Sequence, residues 1–157
     1  MQKITPFLWF NDNAEEAVNL YVSVFKNSRL LETARYQEGS PGKAGSVMTM
    51  SFELDGQRFT ALNGGPIFNF TPAVSFYVDC KTQEEVDFFW EKLSAGGEKG
   101  QCGWLKDRFG LSWQIVPEDL GRLLSDKNVI KSQNVLQAML KMKKIDISLL
   151  KQAYDRE

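Results

Sequence analysis

At 157 residues the chain has the length of one average domain, enough to bury roughly two thirds of the surface its unfolded form exposes. Hydrophobic residues at 43% and charged residues at 25% exclude a disordered chain, and 12% aromatic leaves material for an aromatic-lined pocket. A formal net charge of -1 with no basic block excludes a sequence-independent attraction to nucleic acid.

The N-terminal run Met1-Gln2-Lys3-Ile4-Thr5-Pro6 has no long apolar stretch after its lysine, and no segment approaches the roughly 20 apolar residues of a membrane span. A cytoplasmic protein with no membrane partner is expected. Asn69-Phe70-Thr71 has the form of a glycosylation acceptor, which that location makes coincidental. Phe7-Leu8-Trp9-Phe10 is short and aromatic-rich, as strands are. Asn13 then precedes Glu15 and Glu16: a capping-type residue followed by carboxylates that suit the unpaired amides and positive dipole end of a helix. Ala17, Leu20, Tyr21, Val24 and Phe25 give that helix its apolar stripe. Three strands are expected next, over 31–37, 46–54 and 57–63, divided by Gly39-Ser40-Pro41-Gly42 and by the hairpin-type turn Asp55-Gly56.

At an offset of 69 the chain resembles itself. Phe76-Tyr77-Val78-Asp79 lies over the first strand, and Thr82 precedes Glu84 and Glu85 as Asn13 precedes its own pair. Val86, Phe89, Trp90 and Leu93 form the second stripe. Gly96-Gly97-Glu98-Lys99-Gly100 breaks the chain; Gln101 to Lys106, a turn at Asp107-Arg108-Phe109-Gly110 and a strand through Leu111 to Val116 follow, with a less clear third strand. Pro117-Glu118-Asp119 opens a tail without counterpart in the first half. There Val135, Leu136, Met139, Leu140 and Met142 sit at helical spacing, and Asp146 caps a last helix carrying Ile147, Leu150 and Tyr154. The expected fold is α+β, a single domain of two tandem βαβββ modules, 1–68 and 69–116, forming a curved mixed sheet around a cavity. Residues 117–157 are expected as a helical tail packed on the core.

The chain contains no histidine, which excludes Ser-His-Asp and Cys-His nucleophilic arrangements and removes the commonest ligand for zinc, iron and nickel. An oxygen-only metal site needs several convergent carboxylates, and strand acids such as Asp79 are isolated in the sequence. No metal is expected. Cys80 and Cys102 are too few for a disulfide framework. Cys102 lies near Lys99 and Lys106, which activate a thiol only if they point toward it; both cysteines are read as inert. Gly97, Gly100 and Gly103 precede a strand rather than a helix and make no phosphate cradle. No strand leads through Gly-x-Gly into a helix, so neither a dinucleotide nor an S-adenosylmethionine-type cofactor is expected. Lys141, Lys143 and Lys144 read as a solvated helix end.

The duplicated unit ending in Trp104-Leu105-Lys106-Asp107-Arg108-Phe109-Gly110-Leu111-Ser112-Trp113-Gln114-Ile115-Val116 resembles the vicinal oxygen chelate superfamily, which includes glyoxalases, extradiol dioxygenases and fosfomycin-resistance proteins. Ile4-Thr5-Pro6-Phe7-Leu8-Trp9-Phe10, Ala61-Leu62-Asn63-Gly64-Gly65-Pro66 and Gly100-Gln101-Cys102-Gly103-Trp104-Leu105-Lys106-Asp107-Arg108-Phe109-Gly110 look like its PhnB-like branch, often labelled 3-demethylubiquinone-9 3-methyltransferase-like. The likeness covers roughly residues 3–143. In metal-dependent relatives each module gives two ligands, one on its first strand and one on its last. The resemblance carries those positions to Pro6, to Ser75, to Thr60 or Leu62, and to Gln114. Proline offers no donor, a serine hydroxyl is a poor ligand, and Gln114 alone cannot hold a divalent ion against water. The methyltransferase label has no visible chemistry behind it.

Strand alternation places Ser75, Tyr77 and Asp79 on one face and Val74, Phe76 and Val78 on the helix side, with Ser112 and Gln114 opposite Trp113 and Ile115. The expected ligand-binding set is Gln114, Ser75, Tyr77, Trp104, Asn63, Phe10 and Thr60, with Leu8 as a further wall. The first reading of function is a metal-independent protein that binds a small, partly hydrophobic molecule, as a homodimer. An enzyme acting on a quinone-like or other small substrate is the alternative, and an interaction module with a vestigial cavity is a third.

Overall fold

The computed structural model describes residues 2–156. The chain divides into two compact units, one ending at Phe70 and the other starting at Thr71. The first contains β1 (Phe7–Phe10), α1 (Ala14–Val24), β2 (Arg29–Arg35), β3 (Val47–Leu54) and β4 (Gln57–Asn63). Its four strands are ordered β1-β4-β3-β2, with β1 parallel to β4 and the other neighbours antiparallel. The second contains β5 (Ser75–Cys80), α2 (Gln83–Ser94), β6 (Glu98–Lys99), β7 (Trp104–Lys106) and β8 (Ser112–Pro117), in the corresponding order β5-β8-β7-β6. After β8 come α3 (Glu118–Leu124), α4 (Val129–Leu140) and α5 (Ile147–Tyr154). The architecture is α+β with two βαβββ modules and helices at the C-terminal end, as the sequence repeat predicts.

In the first unit the apolar face of α1 buries Ala14, Ala17, Val18, Tyr21 and Val24. These positions recur at helical spacing and meet a sheet face that buries Leu8, Phe10, Met50, Phe52, Leu54, Phe59 and Ala61. Leu20, expected on the stripe, is only half-buried, and Val18 takes the inner position. The start of α1 also differs from expectation. The Asn13 side chain makes no capping bond; Asn63 at the end of β4 instead accepts the Ala14 N–H through Oδ1 at 2.9 Å.

In the second unit Thr82 caps α2 as expected, accepting the Glu85 N–H at 3.2 Å, while Glu85 accepts the Lys81 N–H at 2.9 Å. The helix buries Val86, Trp90 and Leu93. The glycine-rich break holds β6, a strand of 2 residues paired with β7. It is the third strand that the sequence leaves unclear.

The tail packs on its own unit through Val116, Leu120, Leu123, Val135, Met142, Ile145 and Leu150. Backbone bonds tie it to the turn before β7: the Cys102 N–H donates to Met142 O and the Gly103 N–H to Lys143 O, both at 2.8 Å. Gly103 has a φ of +86°, and a Cβ there would stand 2.8 Å from Ile115 O, so glycine alone permits this approach. The Gln83 side chain donates to Ile145 O at 3.0 Å and accepts the Ile147 N–H at 2.8 Å. Asp146 caps α5 as expected, accepting the Leu149 N–H at 3.1 Å. Among the described residues no helix is long and apolar enough to cross a membrane.

Candidate functional site

Register decides which side chains share a face of the second sheet. Ser75 pairs with Ser112, Tyr77 with Gln114 and Asp79 with Val116 between β5 and β8. Across β7, Trp104 pairs with Gln114 and Lys106 with Ser112. Residues directly opposite on neighbouring strands point the same way, so Ser75, Tyr77, Trp104, Lys106, Ser112 and Gln114 lie on one face. The other face, with Phe76, Leu105, Trp113 and Ile115, packs toward α2; the Phe76 and Trp113 ring centroids are 5.5 Å apart.

Four of the residues expected from sequence are thus brought together. Gln114 Nε2 donates to Ser75 Oγ at 3.0 Å, which fixes the amide while its carbonyl oxygen and the Ser75 O–H keep capacity for a further hydrogen bond. Tyr77, 58% exposed, and half-buried Trp104 flank that amide in register. Burial, then the nearby Asp79 and Cys80, raise the Tyr77 phenol above its ordinary pKa.

Thr60 lies on the equivalent face of the first sheet, opposite Phe7 on β1 and Ser51 on β3. Its N–H donates to Pro6 O at 2.9 Å. Phe10 and Asn63 lie elsewhere. Phe10 is 2% exposed on the face packed against α1, edge-on to Phe70 at 5.1 Å, and Leu8 shares that buried face. The aromatic residues of β1 on the face of Thr60 are Phe7 and Trp9. The Trp9 ring packs edge-on to Phe68 at 5.0 Å, and its Nε1 donates to Gly65 O at 2.9 Å. Gly64 makes room for that indole, since a Cβ there would overlap the ring. Asn63 is occupied as a brace: besides capping α1, its side-chain amide donates to Val47 O at 3.1 Å, and its main-chain carbonyl accepts the Tyr36 hydroxyl.

Two residues of the second face, Ser112 and Lys106, were not singled out from sequence as ligand contacts, although alternation from Gln114 and Trp104 points to both. The turn before β8 is organised by Asp107, which is 2% exposed. Its Oδ1 accepts the Phe109 and Leu111 N–H groups at 2.9 and 3.0 Å, and its Oδ2 accepts Trp113 Nε1 at 2.9 Å. A carboxylate buried with three donors locks the turn that sets the register of β8, and with it the position of Gln114.

A divalent metal does not fit the ligand positions that the resemblance marks. Pro6 and Leu62 supply no side-chain donor, Thr60 and Ser75 supply neutral hydroxyls, and the Ser75 hydroxyl is already engaged by Gln114. Among the described residues no three His, Cys, Asp or Glu side chains converge. Cys80 is fully buried on the helix side, and burial, then Glu85 and Asp79, push its thiol up to about 12, the reverse of what a nucleophile needs. Cys102 lies in the turn that receives the tail and places its Sγ 3.7 Å from Met139 O.

A groove of about 590 Å³ within the second unit lies elsewhere, among Lys81, Thr82, Gln83, Asp119, Asp146 and Lys151. Its polar groups already serve the tail: Thr82 and Asp146 cap helices, Gln83 brackets α5, and Asp119 pairs with Arg122 and Lys151 at 3.1 and 3.5 Å.

Comparisons with known proteins bear on the same region. The model of the family described as 3-demethylubiquinone-9 3-methyltransferase matches residues 2–116. A solved PhnB protein from Bacillus cereus is 41% identical, with a TM-score of 0.69, over 74% of this chain and 99% of that one. A protein from Pseudomonas aeruginosa is 21% identical, with a TM-score of 0.63, over 75% and 98%. The fosfomycin resistance protein FosX of Listeria monocytogenes, solved with Mn(II) and sulfate, is 17% identical, with a TM-score of 0.50, over 72% and 90%. The last two likenesses concern the fold alone. Among curated proteins, none gives a match.

Proposed function

The chain belongs to the 3-demethylubiquinone-9 3-methyltransferase family, the PhnB-like branch of the vicinal oxygen chelate superfamily, and from that premise we propose that it binds a small, partly hydrophobic molecule without a metal. The observation that carries the reading is the Gln114–Ser75 hydrogen bond, flanked in register by Tyr77 and Trp104. An oriented amide between two aromatic residues supplies direction and apolar area together, as small-molecule sites require. Thr60 lies in a similar setting beside Phe7 and Ser51 on the corresponding face of the first unit. Phe10 and Asn63 are left out of the binding set because both are spent on packing and bracing.

No step of a methyl transfer is assigned, because these residues offer neither a nucleotide cradle nor a group placed as a general base. A homodimer in the cytoplasm belongs to the same reading, supported by exposed Val129, Ile130, Leu136 and Leu140 on α4. Light scattering on the eluting protein tests it by distinguishing one chain mass from two.

Mass spectrometry of the native protein is expected to find an organic molecule retained through purification and lost, or held about tenfold more weakly, after Gln114→Ala. Stoichiometric metal in protein purified without added ions would overturn the metal-free part. Unaltered retention in Gln114→Ala would remove the face from the site.

A further inference from the structure

Ser112 occupies the middle of a cross-strand row, with Ser75 on one side and Lys106 on the other. It is 1% exposed, and its Oγ has no hydrogen-bond partner among the described residues. Native folds seldom leave a buried hydroxyl in that condition. Ser75 Oγ accepts from Gln114, so its own hydrogen remains to be donated. Lys106 is half-buried and forms no ion pair among the described residues. Glu98, which faces it across β6, is exposed and unbridged to it. One row therefore holds two hydroxyl donors and an ammonium, with the exposed Glu98 carboxylate at its outer edge and not bridged to the ammonium.

The next row is Tyr77, Gln114 and Trp104, and the one beyond holds Asp79 beside Val116. Successive rows on one face are about 7 Å apart. Lys106 thus lies in one row, flanked on the outer edge by exposed Glu98, and Asp79 lies two rows away, with two aromatic residues between them. An anionic head is favoured beside Lys106 and disfavoured beside Asp79, while a ring of one or two fused cycles spans the distance to the aromatic row.

We propose that this face binds a planar aromatic or conjugated carboxylate, its carboxylate received by Lys106, Ser112 and Ser75 and its ring lying against Tyr77 and Trp104. The assignment rests on the small-molecule reading above and narrows it to a charge and a shape. The Ser112 hydroxyl gains its missing partner when the flexible stem of Lys106 turns aside to meet the anion.

Isothermal titration of the full chain with 2-naphthoate, 2-naphthamide and cyclohexanecarboxylate tests the assignment. Naphthoate is expected to bind about tenfold tighter than either comparison compound. Lys106→Met should erase the preference over the amide, Lys106→Arg should keep it, and Ser112→Ala should weaken naphthoate several-fold. Lys99→Met, on the opposite face of the same hairpin, should change nothing. Thermal melts of each variant identify any that fails to fold, and the Lys106→Arg and Ser112→Ala results then carry the decision. Equal binding of naphthoate and naphthamide, or a preference that survives Lys106→Met, overturns the proposal. If naphthamide binds as tightly as naphthoate and Gln114→Ala abolishes both, the anion assignment falls while the small-molecule reading stands. Absence of heat with all three compounds at millimolar concentration also overturns the assignment, and the copurified molecule then decides the broader reading separately.

Discussion

Removing the buried Asp107 carboxylate deletes the hydrogen bonds it accepts from the Phe109 and Leu111 N–H groups and from the Trp113 indole N–H. Asp107→Ala is expected to cost about 3 kcal/mol or more, read from urea denaturation, because each of these lost hydrogen bonds carries a penalty. Cys80 gives a prediction in pH. Its thiol is held up to about 12 against an ordinary 9.0, so between those values the unfolded chain loses the proton while the folded chain keeps it. The contribution is therefore intact below about pH 9 and declines as pH rises toward 12. Cys80→Ala should flatten the alkaline slope of stability by at most about 1.4 kcal/mol per pH unit; an identical slope in both proteins would refute the buried-thiol account. Single residues were unequally legible. Ser75 and Gln114 could be paired from sequence because polar and apolar residues alternate along their strands. Phe7-Leu8-Trp9-Phe10 is apolar throughout, so its pattern does not say which alternate pair meets the helix, and Phe10 was expected on the wrong side. Asn63 is expected from sequence as a ligand contact, and only the tertiary fold shows its amide bridging Ala14 and Val47.

The two first helices of the modules begin at Ala14 and Gln83, the offset seen in the sequence, yet they are capped by different means. Thr82 caps α2 locally, and its Thr-x-x-Glu spacing announces this. The cap of α1 comes from Asn63, 49 residues away, which no local rule can reveal. Thr82→Ala should cost about 1 kcal/mol. Asn63→Ala should cost more, because it also strips the partner from Val47 O; calorimetric melting of the two variants compares them directly. The strand β6 escaped a clear reading for a related reason: 2 residues between glycines carry no periodicity, and pairing with β7 alone makes them a strand. At the far end Gln83 holds both backbone groups around the start of α5. Gln83→Ala is expected to speed amide hydrogen exchange over residues 141–154 while leaving β1 to β4 unchanged. Exchange unaltered in α5 would mean that the apolar cluster alone keeps it in place.

At the scale of the molecule, the family match ends at Val116, just before α3, whereas the compact second unit continues through the tail. The family scaffold and the folded unit therefore have different limits. Truncation after Pro117 should leave the second unit poorly folded, since Val116 loses its cluster and the Cys102 and Gly103 N–H groups lose Met142 O and Lys143 O. Loss of cooperative melting, with aggregation, is the expected result; a soluble, cooperatively folding fragment would show the tail to be dispensable. The module pattern was legible because duplication repeats caps, stripes and turns together. The docking of the tail was not, because it depends on backbone carbonyls near residues 142–145 that any sequence possesses.

The same tie between the β7 turn and the tail has a consequence for biosynthesis. Growing from its N-terminus, the nascent chain can close the first unit soon after Phe70 leaves the ribosome. The second unit must wait until Ile147 has emerged to bond with Gln83. A translational pause placed between those two points would leave one unit finished and the other unfinished, with Val116 and Leu120 still seeking cover.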